Sequence, residues 1–241
     1  MGIVTAGAGL PFPELADAGL QLQAVLSLAD MDVDVTDALF SAGFDVGRYQ
    51  SLVMLGHVGS TLWEKVVRFE LERTNPFDEV VIELLGAWFG EHHPEAEWEV
   101  LYPGTALLPL GRLAESAGWG SPSPLGLTVH PEHGLWMAHR VVALTNMGFD
   151  WAQPPAQLHP CDTCDGRPCE SACPVGAVSF TAGFDIRGCG GHRIATGSEC
   201  AYQCLARIAC PIGALNRYVD DQMRYHYGIG LASIRVWLNG E

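Results

Sequence analysis

Lysine is almost absent from this 241-residue chain: Lys65 stands alone, and the other twelve basic residues are arginines. Against 28 acidic residues they leave a formal charge of −15. A nucleic-acid binder normally presents a basic stripe that displaces counterions from phosphates. No such stripe exists here, and the net field repels DNA and RNA, so no nucleic-acid partner is expected. Long apolar runs are also missing. None reaches the roughly 18 residues that suggest a spanning helix, and the first basic residue, Arg48, comes too late for a secretory signal. The expectation is a cytoplasmic protein with no membrane span. Cysteine is absent from residues 1–160, and all eight lie between Cys161 and Cys210. A disulfide framework would be scattered more widely, and a chain of this size has little need of one. Such concentration reads as metal ligation.

What is present is a real core. At 48% hydrophobic and 17% charged residues the chain is globular, with room for one generous domain or two modest ones. "ELADAGL" (14–20) reads as a short helix and "QLQAVLSL" (21–28) as a strand. "SLVMLGH" (51–57) is a second strand candidate. "TLWEKVVRFELER" (61–73) spaces its apolar residues at the helical period. Asn75-Pro76 starts a helix over "PFDEVVIELLGAWFGEH". "EWEVLY" (97–102) alternates like a half-buried strand, and "LGRLAESAG" is a helix stopped by Gly118. "LGLTVH" and "LWMAHRVVAL" read as two strands joined by the turn "PEHG". Mixed strands and helices predict a layered α+β domain over residues 1–150. The Pro-rich "WAQPPAQLHP" then marks a boundary to a cysteine-rich domain over 151–220, with 221–241 as a tail packing on the core. "AGAGL" near the N-terminus lacks the full dinucleotide fingerprint and reads as a loose terminus.

The first cysteines follow C-x2-C-x4-C-x3-C-P: Cys161, Cys164, Cys169 and Cys173, then Pro174. Cys189, Cys200, Cys204 and Cys210 follow, with Pro211 after the last. "CPVGAV" and "CPIGAL" echo each other 37 residues apart. A bacterial ferredoxin run is C-x2-C-x2-C-x3-C-P, and in two-cluster proteins the cysteine before proline ligates the other cluster. Two Cys-Pro ends and eight thiols therefore suit two [4Fe–4S] clusters in a crossed arrangement. One takes Cys161, Cys164, Cys169 and Cys210; the other takes Cys189, Cys200, Cys204 and Cys173. The x4 spacing and the stretched second run depart from the ferredoxin pattern. The rival is a pair of tetrahedral zinc sites. Three close cysteine pairs could serve as zinc knuckles, but Cys189 and Cys210 are too distant in sequence to form a fourth.

"GRLAESAGWGSPSPLGLTVHPEHGLWMAHRVVALTNMGFDW", followed by the cysteine run, resembles the epoxyqueuosine reductase family. The stretch from Trp119 to Leu144 is also similar to the cobalamin-processing MMACHC (CblC) proteins, through Trp119, Gly120, Gly126, His130, Pro131, Gly134, Trp136, Ala138 and Arg140. The resemblance implies a flavin-nitroreductase-like fold that binds a corrinoid, with Trp119, Gly120, Gly126, Leu127, Trp136 and Arg140 as cofactor-binding residues. FMN is the alternative occupant. The reductase family's aspartate before the "RLA" helix has no counterpart in "EVLYPGTALLPLGRLA", and its C-terminal tRNA-binding extension looks missing. Epoxyqueuosine reduction in tRNA is therefore not the expected activity, and no catalytic residue is assigned.

Bland readings stand beside these. Trp119 and Trp136 suit a core as well as a cofactor wall, and Arg140 suits a surface ion pair as well as an anion ligand. His130 reads as a turn residue. His133 and His139 lack paired metal-ligand spacing. Asp78 is a candidate acid, or a solvated helix-start charge. Two functions compete. One is a redox enzyme passing electrons from its clusters to a bound cobalamin; the other is a ferredoxin-like electron carrier. Either needs an electron-donor protein or reductase as partner, and a homodimer is left open.

Overall fold

The computed structural model describes residues 3–5, 11–69, 72–105, 107–150 and 158–239. The chain divides into two units: Met1–Gly120 with Met137–Gln157, and Ser121–Trp136 with Leu158–Glu241. The first contains β1 (Ile3–Thr5), α1 (Pro13–Asp17), β2 (Leu22–Ser27), α2 (Val33–Ser41), β3 (Ser51–Val58), α3 (Thr61–Phe69), α4 (Pro76–His92), β4 (Trp98–Tyr102) and α5 (Leu110–Ser116). After β5 (Ser121–Pro122) and β6 (Thr128–Val129), which belong to the second unit, the first resumes with β7 (Met137–Thr145) and β8 (Gly148–Asp150).

An antiparallel sheet in the order β2-β3-β7-β4 forms the centre of the first unit. Strand β3, "SLVMLGHV", is buried along its whole length, which requires cover on both faces. On one face Leu52, Met54 and Val58 pack with Leu22, Ala24 and Leu26 of β2 and Val142 and Leu144 of β7. Val35 and Leu39 of α2 and Leu113 and Ala114 of α5 close that layer. Each such Val or Leu, fully buried, contributes about 1.5–3 kcal/mol. Helices α3 and α4 pack on β3 and β7, and α4 buries Phe77, Val81, Leu85, Trp88 and Phe89. The buried Gln23 side chain accepts from the Phe12 N–H and donates to the Phe12 and Leu20 carbonyls, so its polar groups are satisfied.

The second unit is built from short pieces: the ribbon β5-β6, then α6 (Pro168–Ser171), the hairpin β9 (Val178–Ser179) and β10 (Gly183–Phe184), α7 (Ile186–Ile194), α8 (Leu205–Ala209) and α9 (Asp220–Asn239). Helices α6 and α8 pack together, and Cys173-Pro174 and Cys210-Pro211 follow closely on them. Pro at these positions cannot continue a helix. Gly176 and Gly213, at φ +62° and +65°, then turn the chain through the left-handed region.

The mixed composition of helix and antiparallel sheet is that of an α+β protein. The helix expected over 76–92 and the strand over 97–102 appear as α4 and β4. Three features differ from expectation. "LGLTVH" and "LWMAHRVVAL" do not form a hairpin: β6 pairs with β5, while β7 pairs with β3 and β4. Only a single bridge, His130 to Gly134, closes the "PEHG" turn. Residues 121–136 group with the cysteine-rich segment instead of with 1–150. The 221–241 tail lies largely in the 20-residue helix α9, which belongs to the same unit and packs on α7. Helix α2 was not anticipated, because the acidic "DMDVDVTDALFS" masks its two buried residues, Val35 and Leu39. "AGAGL" and residues 151–157 of the Pro-rich boundary lie outside the described residues. No described helix is long and apolar enough to cross a membrane.

Candidate functional site

The second unit brings the eight thiols together in two sets. Burial pushes the Cys161 thiol up to about 11, and neighbouring Cys210, Cys169 and Cys164 push in the same direction. Cys169 is raised by burial and then by Cys210, with Cys164 adding to it. Cys210 is raised by burial, and Cys164 again adds. In the other set burial pushes Cys189 up to about 11, reinforced by Cys204, Cys173 and Cys200. Cys200 is raised by burial, with Cys204 and Cys173 as neighbours. Sequence neighbours Cys169 and Cys173 thus fall into different sets, and so do Cys204 and Cys210. Each Cys-Pro end faces the set to which its own run does not belong.

A cavity of about 330 Å³ is lined by Cys173, Cys189, Cys200 and Cys204, together with Leu125, Val178, Phe184, Arg193, Arg207 and Tyr227. Cys169 and Cys210 pack into an apolar cluster with Leu125, Val129, Leu135, Val178 and Ala206, which Cys161, Cys173 and Cys204 also touch. Backbone donors are aimed at sulfur: the Ala177 N–H at Cys173 Sγ (3.3 Å) and the Arg207 N–H at Cys204 Sγ (3.4 Å). Four thiols held together in apolar surroundings resist ionisation until a cationic centre takes them as ligands. The donor set is soft sulfur.

Two kinds of centre take four thiolates. A single zinc ion with Zn–S of about 2.3 Å needs sulfurs within about 3.8 Å of each other. Among the described residues, no three His, Cys, Asp or Glu side chains converge closely enough to hold one ion. A cubane, whose thiolates bind four separate irons, takes its sulfurs further apart than a single zinc ion does.

The six residues drawn from the corrinoid resemblance are divided between the units. In the first, Trp119 is 4% exposed and packs in the core over the sheet. A Cβ at Gly56 would meet its ring at 3.1 Å, so β3 needs glycine there. Gly120 adopts φ +129°. Arg140 is the extra residue of a β-bulge: Leu55 pairs with Val141 and Gly56 with His139, leaving Arg140 unmatched on β7. The bulge aims its guanidinium at His57 Nδ1, to which Arg140 Nε–H donates (3.0 Å), and over the Phe77 ring at 5.0 Å. In the second unit, Gly126 (φ +71°) faces the Phe184 ring, Leu127 is exposed, and Trp136 is fully buried against Tyr218. Both tryptophans are buried in packing contacts.

Around Arg140 the sheet assembles a polar cluster that sequence reasoning saw only in part. Burial raises the Asp78 carboxyl, against the opposing pull of Arg140. Burial also raises the Tyr102 phenol, again with Arg140 opposing. Of these, Asp78 was a candidate from its helix-start position. His57 and Tyr102 were missed; the signal for His57 was a histidine inside the otherwise apolar "SLVMLGHV". His139 stacks on Trp119 at 5.5 Å, and His130 on His133 at 4.4 Å. His130 Nδ1 accepts the Glu132 and His133 N–H groups, which is a turn-closing role. Arg207 was missed as well, though "CLARIAC" places a basic residue between two ligand candidates.

No family model matches this sequence. Over 105 residues it is 33% identical to an epoxyqueuosine reductase of Synechococcus sp. (strain CC9605), covering 44% of this chain and 31% of that protein. Among solved structures, a selenomethionine-labelled epoxyqueuosine reductase superposes with a TM-score of 0.57 at 16% identity, over 86% of this chain and 66% of that one. The fold is that of epoxyqueuosine reductase. A second epoxyqueuosine reductase structure, solved with a tRNA-Tyr epoxyqueuosine-modified stem loop, superposes with a TM-score of 0.57 at 15% identity, over 88% of this chain and 67% of that one. The enzyme from Streptococcus thermophilus gives 0.55 at 15% identity, over 83% and 64%. The chain thus spans about a third of the curated reductase and about two thirds of these solved reductases.

Proposed function

We propose that this chain is an iron–sulfur oxidoreductase of the epoxyqueuosine reductase type, with a nitroreductase-like first unit and a ferredoxin-type second unit. The observation that carries the proposal is the gathering of eight thiols into two interleaved sets of four. Cys161, Cys164, Cys169 and Cys210 would hold one [4Fe–4S] cluster; Cys173, Cys189, Cys200 and Cys204 would hold the other. Such clusters, when bound, supply electrons singly, and here the acceptor is a corrinoid. The chain's own part is to bury the sulfurs, aim the Ala177 and Arg207 N–H groups at them, and exclude water. In the first unit, the cation of Arg140, set over Phe77 beside Asp78 and Tyr102, suits an anionic substituent of the corrinoid or of a cosubstrate.

Reduction of epoxyqueuosine in tRNA is not the favoured activity. The residues before α5, "EVLYPGTALLPLGRLA", contain no aspartate, and the charge of −15 opposes an RNA partner. One observation favours a second reading, a ferredoxin-like carrier that docks an electron donor or reductase. Trp119 and Trp136, two of the six residues offered for a corrinoid, are buried at 4% and 0% exposure and make packing contacts. Anaerobic purification with iron and sulfide analysis tests the cluster proposal, with about eight irons per chain expected. Titration of the loaded protein with cob(II)alamin, followed in the visible spectrum, then separates the readings. Saturable binding supports the enzyme; none supports the carrier. Extraction without FMN fluorescence removes the flavin alternative.

A further inference from the structure

Arg207 is 9% exposed and has no acidic partner among the described residues. Its Nε–H and Nη2–H donate to the Leu135 carbonyl, and its guanidinium lies 4.5 Å from the Trp136 ring and 4.8 Å from that of Tyr218. Tyr227, also beside it, is pushed up to about 12 by burial and is neutral. Every one of these contacts is to an uncharged group, yet a guanidinium is always protonated in proteins. A buried charge without a counter-charge costs several kcal/mol, so the compensating anion must come from elsewhere. The lining of the 330 Å³ cavity identifies it. Arg207 and Arg193 share that cavity with Cys173, Cys189, Cys200 and Cys204. Arg193 is held there by the Cys200 and Tyr227 carbonyls and stacks over the Tyr227 ring at 4.9 Å. The acidic residue beside Cys200, Glu199, is exposed, and solvent screens it.

The first set is different. The cation beside Cys210 is Arg217, which is exposed and bonded to the Ile208 carbonyl. Asp162 stands beside Cys161. Surface charges of this kind are screened.

We infer that Arg207 and Arg193 are the built-in counter-charges of the second thiolate set, and that they raise the reduction potential of its cluster above that of the first. The inference rests on the two-cluster reading. A [4Fe–4S]²⁺ core with four thiolates carries two negative charges. One electron from an external low-potential reductant brings it to three. A cation fixed in a low-dielectric cavity stabilises the more negative state, so an electron entering the protein settles on the second cluster. Nothing in the cysteine spacing dictates this asymmetry.

The test is a potentiometric titration with dithionite, monitored by electron paramagnetic resonance, on the full chain loaded with iron and sulfide. Unsubstituted protein should show two one-electron waves. Cys189→Ser, which removes a ligand of the second set, should abolish or displace the higher one and so assign it. Arg207→Gln should lower that wave by a tenfold or greater loss in its reduction equilibrium, about 59 mV for one electron, and leave the lower wave in place. Arg207→Lys, which keeps the charge, should restore most of the difference. Arg193→Gln should lower the same wave, and it serves should Arg207→Gln fail to retain iron. Eight irons with both waves unmoved in the Gln variants, or equal shifts in Arg207→Lys and Arg207→Gln, would overturn the inference while leaving the clusters intact. Unsubstituted protein without iron would instead overturn the cluster proposal, and this inference with it.

Discussion

Arg140 donates through Nε–H to Nδ1 of His57 across 3.0 Å, from a bulge on β7 to a fully buried ring on β3. Because Nδ1 accepts, the imidazole carries its proton on Nε2 and is neutral. The bond therefore links a cation that serves the polar cluster to the most buried strand of the sheet. Truncating Arg140 to Ala should destabilise the first unit by about 1–3 kcal/mol, the range for losing a hydrogen bond from a charged donor to a buried acceptor. Urea denaturation followed by tryptophan fluorescence measures it. Arg140→Lys cannot reproduce the planar donor over Phe77 and should recover only part of the loss. An unchanged midpoint in Arg140→Ala would show that the bond does not secure the strand pair.

Iron counting separates crossed from sequential ligation. In the crossed arrangement Cys161→Ser/Cys210→Ser strikes one set twice, so about four irons should remain. Cys161→Ser/Cys173→Ser strikes both sets, and little iron should remain. Sequential ligation reverses the two results.

Acid should weaken the first unit through His139. Burial pushes this imidazole from 6.5 down to about 4. The unfolded chain then binds a proton that the folded chain refuses, so νU exceeds νN between about pH 6.5 and 4, and stability falls as pH is lowered through that window. Above it, this contribution is fully present. The full effect is on the order of 3 kcal/mol or less. Denaturation at pH 7 and at pH 4.5 measures it. His139→Phe, which keeps a ring against Trp119, should lose less stability between the two pH values than the unsubstituted protein.

Gly213 and Gly134 meet back to back. A Cβ on Gly213 would overlap the His133 carbonyl, and one on Gly134 would overlap the Ile212 carbonyl. Gly176, the equivalent of Gly213 in the other Cys-Pro segment, has open space around it. Gly176→Ala should therefore cost only the left-handed backbone strain, about 1–2 kcal/mol. Gly213→Ala should cost that plus overpacking of about 1–3 kcal/mol. Thermal unfolding of the two variants side by side gives the difference, and equal losses would show that the close approach is unimportant.

Much of the local structure was legible from residues alone. Asn75-Pro76 and the apolar period over 76–92 specify α4, because caps and periodicity act within a few residues of one another. The total of eight thiols and two Cys-Pro turns is likewise a property of the chain in one dimension. The expected hairpin at 131–134 failed for a long-range reason. Strand β7 gains far more by pairing with β3 and β4 than with its sequence neighbour, and no local signal reports that gain.

The sequence by itself determined which ligating atoms exist, where the chain must turn, and that the surface is strongly acidic. Only the tertiary structure decided that residues 121–136 join the cysteine-rich unit, that Arg140 leaves its register at a bulge, and that Arg207 is buried beside four thiols with no acid to meet it among the described residues. The reason is physical: turns and caps are set by interactions between near neighbours, whereas burial and charge compensation depend on which distant segments exclude water together.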